Sequence, residues 1–533
     1  MLPEDLYFTT LSNEELWQRY CGFLDLTREQ FMQIQRSLLE EQLALAARSS
    51  LGRRVLGDEP PKTVEEFRAS APLTGYRDYE PELSERDERA LAAAPALWCH
   101  SSGRGGSFKW VPHSEAAMDK AARNCIGLFN LCAAASKGEI TIGPGMRMLT
   151  TLPPAPYTSG TIFAYLRKRL TFEAVPPPEA VAGRPFAEQV AMGFQMALKD
   201  GFDVAGAVAS ILVRMGQQMS GQGASAHRRK LPPGALNPKV MLRLARAYLR
   251  SRAERRPMYP KDLWRPKGIM AGGVDTGIYL RDIEAFWGVT PLDVYAATET
   301  MFLGMQSWSR KHMTFLPDSV FLEFLPLAPG GAEASGDAEP VLLDELVPGG
   351  LYELVITQLH GMPLMRYRLG DVIQVIDTRD AEAGIELPQF QVRRKIDEVI
   401  NLGGLCAVDE RTLWTAIAAT GLPYTDWTAY KEYDDSEAFL RLVIELREPR
   451  GPQEVAALVH ERLKEVDTDY VDVERYLGVN PVRVTVLEQG SFARYTEARV
   501  REGADLAHLK PKHINPSRDT VDLLTGVAEP TNG

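Results

Sequence analysis

What this 533-residue chain has little of narrows its function first. It has five cysteines, Cys21, Cys99, Cys125, Cys132 and Cys406, and no pair has the close CxxC spacing of a zinc or redox centre. Reduced thiols acting as small packing residues are expected, in keeping with a cytosolic protein. The eight histidines form no HExxH or HxxxH pair, so no zinc-enzyme motif is present. No apolar run reaches the roughly 20 residues a membrane helix requires. The N-terminal segment MLPEDLYFTTLSNEEL is acidic and has no basic-then-apolar leader pattern, so no secretory signal is expected. Lysine and arginine are scattered, and the formal net charge is −11. No nucleic-acid partner and no anionic membrane partner is therefore expected. A soluble, cytoplasmic chain fits these absences, and a monomer or weak dimer is expected.

What is present is ordinary globular material, 45% hydrophobic and 25% charged, and too long for one domain. Helical spacing predicts helices over 12–50, 114–136, 185–199 and 204–219. Strand-like runs fall at 146–152, 268–270, 291–295, 319–326 and 351–357. This alternation predicts an α/β fold, with a large N-terminal domain of mixed or parallel sheets flanked by helices over 1–396. Beyond 396 the pattern predicts a helix over 408–420, a strand over 437–448, a helix over 452–466 and a strand over 482–487. That order suits a small mobile α+β domain over 397–533, hinged near Arg394–Gly404.

Four local patterns carry chemistry. The first is the loop SSGRGGSFK, Ser101 to Lys109. Glycine and serine let successive backbone N–H groups converge on an anion, and Lys109 adds a positive charge for outer phosphates. It is not the P-loop of nucleotide hydrolases, because Trp110 follows the lysine where Ser or Thr would hold magnesium. Taken alone, such a loop also fits a plain flexible turn. The second pattern, Tyr295-Ala296-Ala297-Thr298-Glu299, ends an apolar strand in a carboxylate suited to Mg2+, or in a solvated Glu. The third, Arg366-Tyr367-Arg368-Leu369-Gly370-Asp371, places a carboxylate just past a glycine turn, where it can accept bonds from vicinal ribose hydroxyls. The fourth, Arg394 to Gly404, marks the passage into the smaller domain.

In this order the patterns resemble the adenylate-forming superfamily of acyl-CoA synthetases, peptide-synthetase adenylation domains and luciferases. That superfamily's TSGTTGxPK loop is matched by Ser102, Gly103, Gly106 and Lys109. Its YGxTE, GD and GRxDxxIKxxG motifs are matched by Tyr295 with Thr298 and Glu299, by Gly370 and Asp371, and by Asp397, Ile400 and Gly404. Gly272 and Gly273 sit where the superfamily places an adenine-contacting glycine pair.

A closer resemblance is to the auxin-responsive Gretchen Hagen family of acyl acid–amido synthetases. It runs through APLTGYRDYEPEL, FDVAGAVASILVRM, DLWRPKGIMAGG, HMTFLPDSVFLEFLPL, GGLYELVITQLHGMPLMRYRLGDVIQV, PQFQVRRK and the closing GSFARYTEARVREGADLAHLKPKH. The high alanine and arginine content points to a bacterial member.

The resemblance implies an ATP-dependent ligase that activates a carboxylic acid as acyl-AMP, releases pyrophosphate and passes the acyl group to an amine such as an amino acid. It assigns ATP to Ser101, Ser102, Gly103, Arg104, Gly106, Gly272, Gly273, Tyr295, Ala297, Thr298, Asp371 and Lys395. It gives Mg2+ to Glu299, the outer phosphates to Lys109, and a late catalytic role to Lys510. Arg104 replaces the usual Thr or Ser, Phe108 replaces a proline, and Lys512 stands two residues past Lys510. Asn401 stands where many CoA ligases have lysine. A thioester-forming ligase and a nucleotide-binding protein without turnover are the competing readings.

Overall fold

The computed structural model describes residues 2–57, 59–101, 109–152, 155–184, 186–220, 237–272, 276–327, 338–395, 400–402, 406–408, 410–434, 437–467, 470, 471, 473, 480–501 and 511–526. These fall into two compact units, one extending to Lys395 and the other from Ile400 onward.

The N-terminal unit opens with helices that sequence periodicity had merged into one. Ser12 and Glu15 form a capping box that starts the helix Asn13–Cys21. A 3-10 turn, Gly22–Asp25, follows, and Thr27 and Gln30 form a second box that restarts the chain as Arg28–Ala46. Each box satisfies backbone N–H groups left without an intrahelical partner where a helix starts, so the restart after the turn is encoded at Thr27 and Gln30. The second helix buries Phe31, Gln35, Leu39, Gln42, Leu43 and Ala46, one face at helical spacing. Its two buried glutamines act as ties. Gln35 bonds the carbonyl of Val320 and the amide of Leu322, and Gln42 bonds the carbonyl of Met362 and the amide of Gly361.

A hairpin of β1 (Pro95–Ser101) and β2 (Lys109–Ser114) brackets the phosphate-loop pattern. Eleven further strands make one sheet: β3 (Arg147–Thr151), β4 (Glu173–Val175), β5 (Val204–Val208), β6 (Gly268–Gly272), β7 (Leu292–Ala297), β8 (Met301–Gln306), β9 (Met313–Phe315), β10 (Val320–Pro326), β11 (Leu351–Gln358), β12 (Tyr367–Asp377) and β13 (Gln389–Lys395). Their order is β10-β11-β12-β13-β9-β8-β7-β6-β5-β3-β4. From β4 through β7 neighbouring strands are parallel, and from β7 through β10 they are antiparallel. The sheet is thus mixed, flanked by helices, as the sequence pattern predicts. One assignment is corrected. Val204–Val208 is a buried strand of the parallel half, and the helix begins only at Ala209 and runs to Ser220. A strand buried on both faces reads as a continuous apolar run, which periodicity does not separate from a buried helix.

The C-terminal unit contains a short hairpin, β14 (Ile400–Leu402) with β15 (Cys406–Val408), and a three-stranded sheet. In that sheet β16 (Tyr424–Asp434) pairs antiparallel with β17 (Glu437–Leu446), which pairs parallel with β18 (Val482–Leu487). Helices Glu410–Ala419, Pro452–Val466, Ser491–Arg501 and Arg518–Thr525 accompany it. The sequence pattern misses β16, because Thr425, Asp426, Lys431 and Glu432 dilute its alternation. Its middle, Trp427 to Ala429, is nevertheless buried.

Candidate active site

The carboxyl ends of the parallel strands converge where the sheet turns antiparallel, the position at which open α/β sheets bind ligands. Gly272 closes β6 there, paired with Val294 of β7. Ala297 ends β7, and a turn through Thr298, Glu299 and Thr300 leads into β8. Met301, the first residue of β8, is buried with φ of 58°, a left-handed conformation that a bulky side chain adopts only where its surroundings hold it.

Those surroundings are specific. His113 Nε2 lies 2.9 Å from the carbonyl of Thr298. Thr158 donates a 2.9 Å bond to the Thr298 hydroxyl, and Gln358 donates from its amide to the Glu299 carbonyl at 2.7 Å. Burial pushes the His113 pKa down to about 4, against the opposing pull of the Thr298 carbonyl, so its ring is a neutral donor at ordinary pH. The backbone around Glu299 is therefore clamped from three elements. Among the described residues, none forms an ion pair or hydrogen bond with the Glu299 carboxylate.

Tyr295 and Asp371 form the second feature. The Tyr295 hydroxyl donates a 2.6 Å bond to Asp371 Oδ2, and both side chains are buried. Three strands lie between β7 and β12 in the sheet order, farther than these side chains reach over a flat sheet, so the sheet curls to bring them together. Phe390, stacked on Phe315 with centroids 3.8 Å apart, meets the Tyr295 ring edge-on. Gly304 makes room for it: a Cβ there would sit 2.6 Å from Phe390 Cζ. Gly370, at φ of 77°, turns the chain immediately before Asp371. Burial, the Asp371 charge and its hydrogen bond hold the Tyr295 hydroxyl protonated, far above the usual phenol range, and Glu299 adds to that effect.

Lys109, first residue of β2, reaches the same region. Its Nζ lies 3.4 Å from the Tyr367 hydroxyl and 5.5 Å from the Tyr76 ring centroid. Tyr76 is fixed by bonds to the amide and carbonyl of Trp110. Burial pushes its hydroxyl up to about 12, the Trp110 bond opposes this, and the charges of Glu80 and Glu299 add to the rise. Lys109 lies against Tyr76 and Tyr367, and Glu299 acts on the hydroxyls of both Tyr76 and Tyr295, so the lysine and the carboxylates Glu299 and Asp371 are linked through shared aromatic residues. Such a set can hold an anionic ligand at Lys109, a cation at Glu299 and a hydroxylated group at Asp371.

The two arginines of the MRYRLGD segment face elsewhere. Arg366 makes two 3.0 Å bonds to the buried Glu323 and a 2.7 Å bond to the Ala71 carbonyl, and Arg368 pairs with Glu353. These bonds fasten β12 to its neighbours. Of the other residues selected from sequence, Ser102, Gly103, Arg104, Gly106, Gly273 and Lys510 lie outside the described residues. For Ser101 and Lys395 only the backbone is described, in β1 and opposite Asp371 in β13. Sequence reasoning missed Tyr76, His113, Thr158, Gln358 and Tyr367. Tyr367 lies inside the third pattern, and Tyr76 and Gln358 lie inside the family-like segments, where only neighbouring residues stood out. His113 and Thr158 belong to no pattern, and only the fold brings them to the turn.

Comparison with known proteins adds an independent line. Three family models match in chain order: the GH3 family N-terminal domain over residues 21–168, its central domain over 313–395 and its C-terminal domain over 409–519. A putative indole-3-acetic acid-amido synthetase of Arabidopsis thaliana is 27% identical over 50% of this chain and 48% of its own length. A jasmonoyl–L-amino acid synthetase of Oryza sativa is 26% identical over 48% of this chain and 46% of its own length. The chain thus matches about half the length of these two relatives. A probable indole-3-acetic acid-amido synthetase of Oryza sativa is 26% identical over 94% of this chain and 88% of its own length.

Among solved structures, an acyl acid amido synthetase in complex with 2,4-DB superposes with a TM-score of 0.52 at 17% identity, covering 99% of this chain and 97% of that one. A 2-hydroxyisobutyryl-CoA ligase in complex with 2-HIB-AMP and CoA gives 0.53 at 14%, covering 88% and 86%. Both show the adenylate-forming fold. With three domain models in order along the sequence, the chain belongs to the GH3 family.

Proposed function

We propose that the protein is an ATP-dependent acid–amine ligase acting through an acyl-adenylate. The carboxylate oxygen of the acid attacks the α-phosphorus of ATP, the bond to the bridging oxygen breaks and pyrophosphate leaves. An amine, from an amino acid or similar acceptor, then attacks the acyl carbon. The amide bond forms, AMP departs with the electron pair of the broken mixed-anhydride bond, and the amine's surplus proton passes to solvent. The protein has to position two anions and offset their repulsion, which is work for fixed charges and dipoles.

The observation that supports this best is the convergence of Lys109, Glu299, Tyr295 and Asp371 at the sheet's switch point, in a chain whose relative matched over 94% of its length is named an amido synthetase. In this reading Lys109 and the loop Ser101, Ser102, Gly103, Arg104 and Gly106 take the outer phosphates. Asp371 takes the ribose, while Gly272, Gly273, Tyr295, Ala297 and Thr298 wall the adenine. The Glu299 carboxylate, unpaired among the described residues, fits a magnesium ion, which would neutralise phosphate charge when bound. Lys395 is assigned to the nucleotide, and Lys510 to the acyl carboxylate and bridging oxygen, by their places in the family motifs. The part from 397 onward acts as a hinged domain, and the enzyme works in the cytoplasm as a monomer or weak dimer.

Acid-dependent exchange of labelled pyrophosphate into ATP tests the first half-reaction. Exchange that requires both a carboxylic acid and Mg2+ is expected. No exchange across a broad acid panel would contradict the reading and favour nucleotide binding without turnover.

A further inference from the structure

The helix Pro238–Ala253 of the N-terminal unit has an outer face that the proposed reaction does not use. Its inner side is seated by Val240, Ala247 and Ser251, and by Arg243, whose guanidinium donates to the carbonyls of Ala197 and Leu198 at 2.8 and 2.7 Å. Its outer side is apolar. Met241 is 55% exposed, Leu242 53%, Tyr248 57% and Leu249 66%. These are four of the seven large apolar side chains exposed among the described residues, so this is a patch rather than scatter. At 100° per residue they fall with Ala245 on one arc, and Lys239, Arg246 and Arg250 line one border of that arc. Arg252 lies within it, its guanidinium 6.0 Å from the Tyr248 ring centroid. The helix contains no aspartate or glutamate.

We infer that this helix is a peripheral docking surface for anionic lipid headgroups. Leu, Met and Tyr on one side with arginine and lysine beside them is the pattern of a helix lying in a bilayer interface, where long basic side chains reach up to phosphates while their stems rest on acyl chains. Charge selects this occupant over a second copy of the chain. A two-fold contact would set the arginines of one helix against those of the other. One helix face also offers far less than the roughly 800 Å² per partner of a stable complex. The linear sequence suggests no membrane partner because the net charge of −11 hides a local stripe that only the helix assembles. That same net charge opposes approach to an anionic surface, so binding is weak and salt-sensitive.

The test is cosedimentation of the full chain with vesicles of phosphatidylcholine alone and of equimolar phosphatidylcholine and phosphatidylglycerol. Binding is expected to the mixed vesicles at low salt, absent from the neutral ones and lost at high salt. Arg246→Glu should weaken it roughly 5-fold or more, given about 1 kcal/mol for each basic group near an anionic surface. Leu249→Glu should weaken it similarly while leaving acid-dependent pyrophosphate exchange and circular dichroism unchanged. Absent binding to the mixed vesicles, binding unaffected by either substitution, or a concentration-dependent dimer that Leu249→Glu dissolves would each overturn the assignment.

Discussion

Tyr295 and Asp371 lie on strands with three others between them in the sheet, yet the phenol donates a 2.6 Å hydrogen bond to the carboxylate, and burial keeps that phenol protonated. The pair fixes one Asp371 oxygen in direction. If Asp371 receives the ribose, Asp371→Asn should weaken ATP binding about 10- to 100-fold, the range for a hydrogen bond to a charged group. Isothermal titration with ATP measures it. An unchanged affinity would move the ribose elsewhere.

Lys109 is the next element to test. Lys109→Met should lower acid-dependent pyrophosphate exchange by about 10²–10³, as for loss of a preorganised donor. Tyr367→Phe, which removes the 3.4 Å contact to Nζ and keeps the lysine, should reduce it far less. Equal losses in the two variants would show that Tyr367 acts on the substrate itself.

His113 gives a pH prediction. Its ordinary value is 6.5, and burial lowers it to about 4 in the fold, so between these values the unfolded chain binds the extra proton. Its contribution is full above pH 6.5 and is lost as pH falls through about 4, by on the order of 3 kcal/mol. Chemical denaturation of His113→Gln should show a shallower fall of stability with acid than the parent over that window.

His513 has the opposite sign. Burial disfavours its charge, but hydrogen bonds to Asp426 at 2.8 Å and Glu410 at 2.6 Å outweigh this and raise its pKa above 6.5. The ring also stacks on Trp427 at 4.4 Å. Its stabilisation of the C-terminal unit is complete below pH 6.5 and disappears as pH rises through the elevated value. His513→Gln should therefore lower the melting temperature at pH 6 more than at pH 9, as read by tryptophan fluorescence.

Arg366 should behave as a structural residue. Its bidentate pair with Glu323 is buried, and burial itself pushes the Glu323 carboxyl up against the pull of Arg366 and Arg68. Arg366→Met leaves that carboxylate unmatched and should destabilise the chain by about 3–5 kcal/mol in urea denaturation. A loss below about 1 kcal/mol would mean that Arg68 suffices as partner.

Much of this architecture is legible in the sequence because its motifs sit at strand ends. Glu299 and Asp371 can be singled out from local pattern, as carboxylates at a strand end and past a glycine turn, while Tyr295 enters with the family resemblance. Residues supplied by side-chain crossing are not legible. His113 and Gln358 grip the Glu299 turn from 185 and 59 residues away along the chain, with no local pattern to announce them. The roles of Arg366 and Arg368 are equally silent in the sequence, because their partners Glu323 and Glu353 lie on other strands and are buried by the fold. The Val204–Val208 strand was masked by its own burial, and β16 by its exposed charges.

The most direct test of acyl activation followed by amide formation is mass spectrometry of the products from a carboxylic-acid panel incubated with ATP, Mg2+ and an amino-acid mixture, with and without CoA. The predicted result is an acyl–amino acid amide formed together with one AMP and one pyrophosphate per turnover, without need of CoA. A thioester that appears only with CoA, with no amide in its absence, would contradict it.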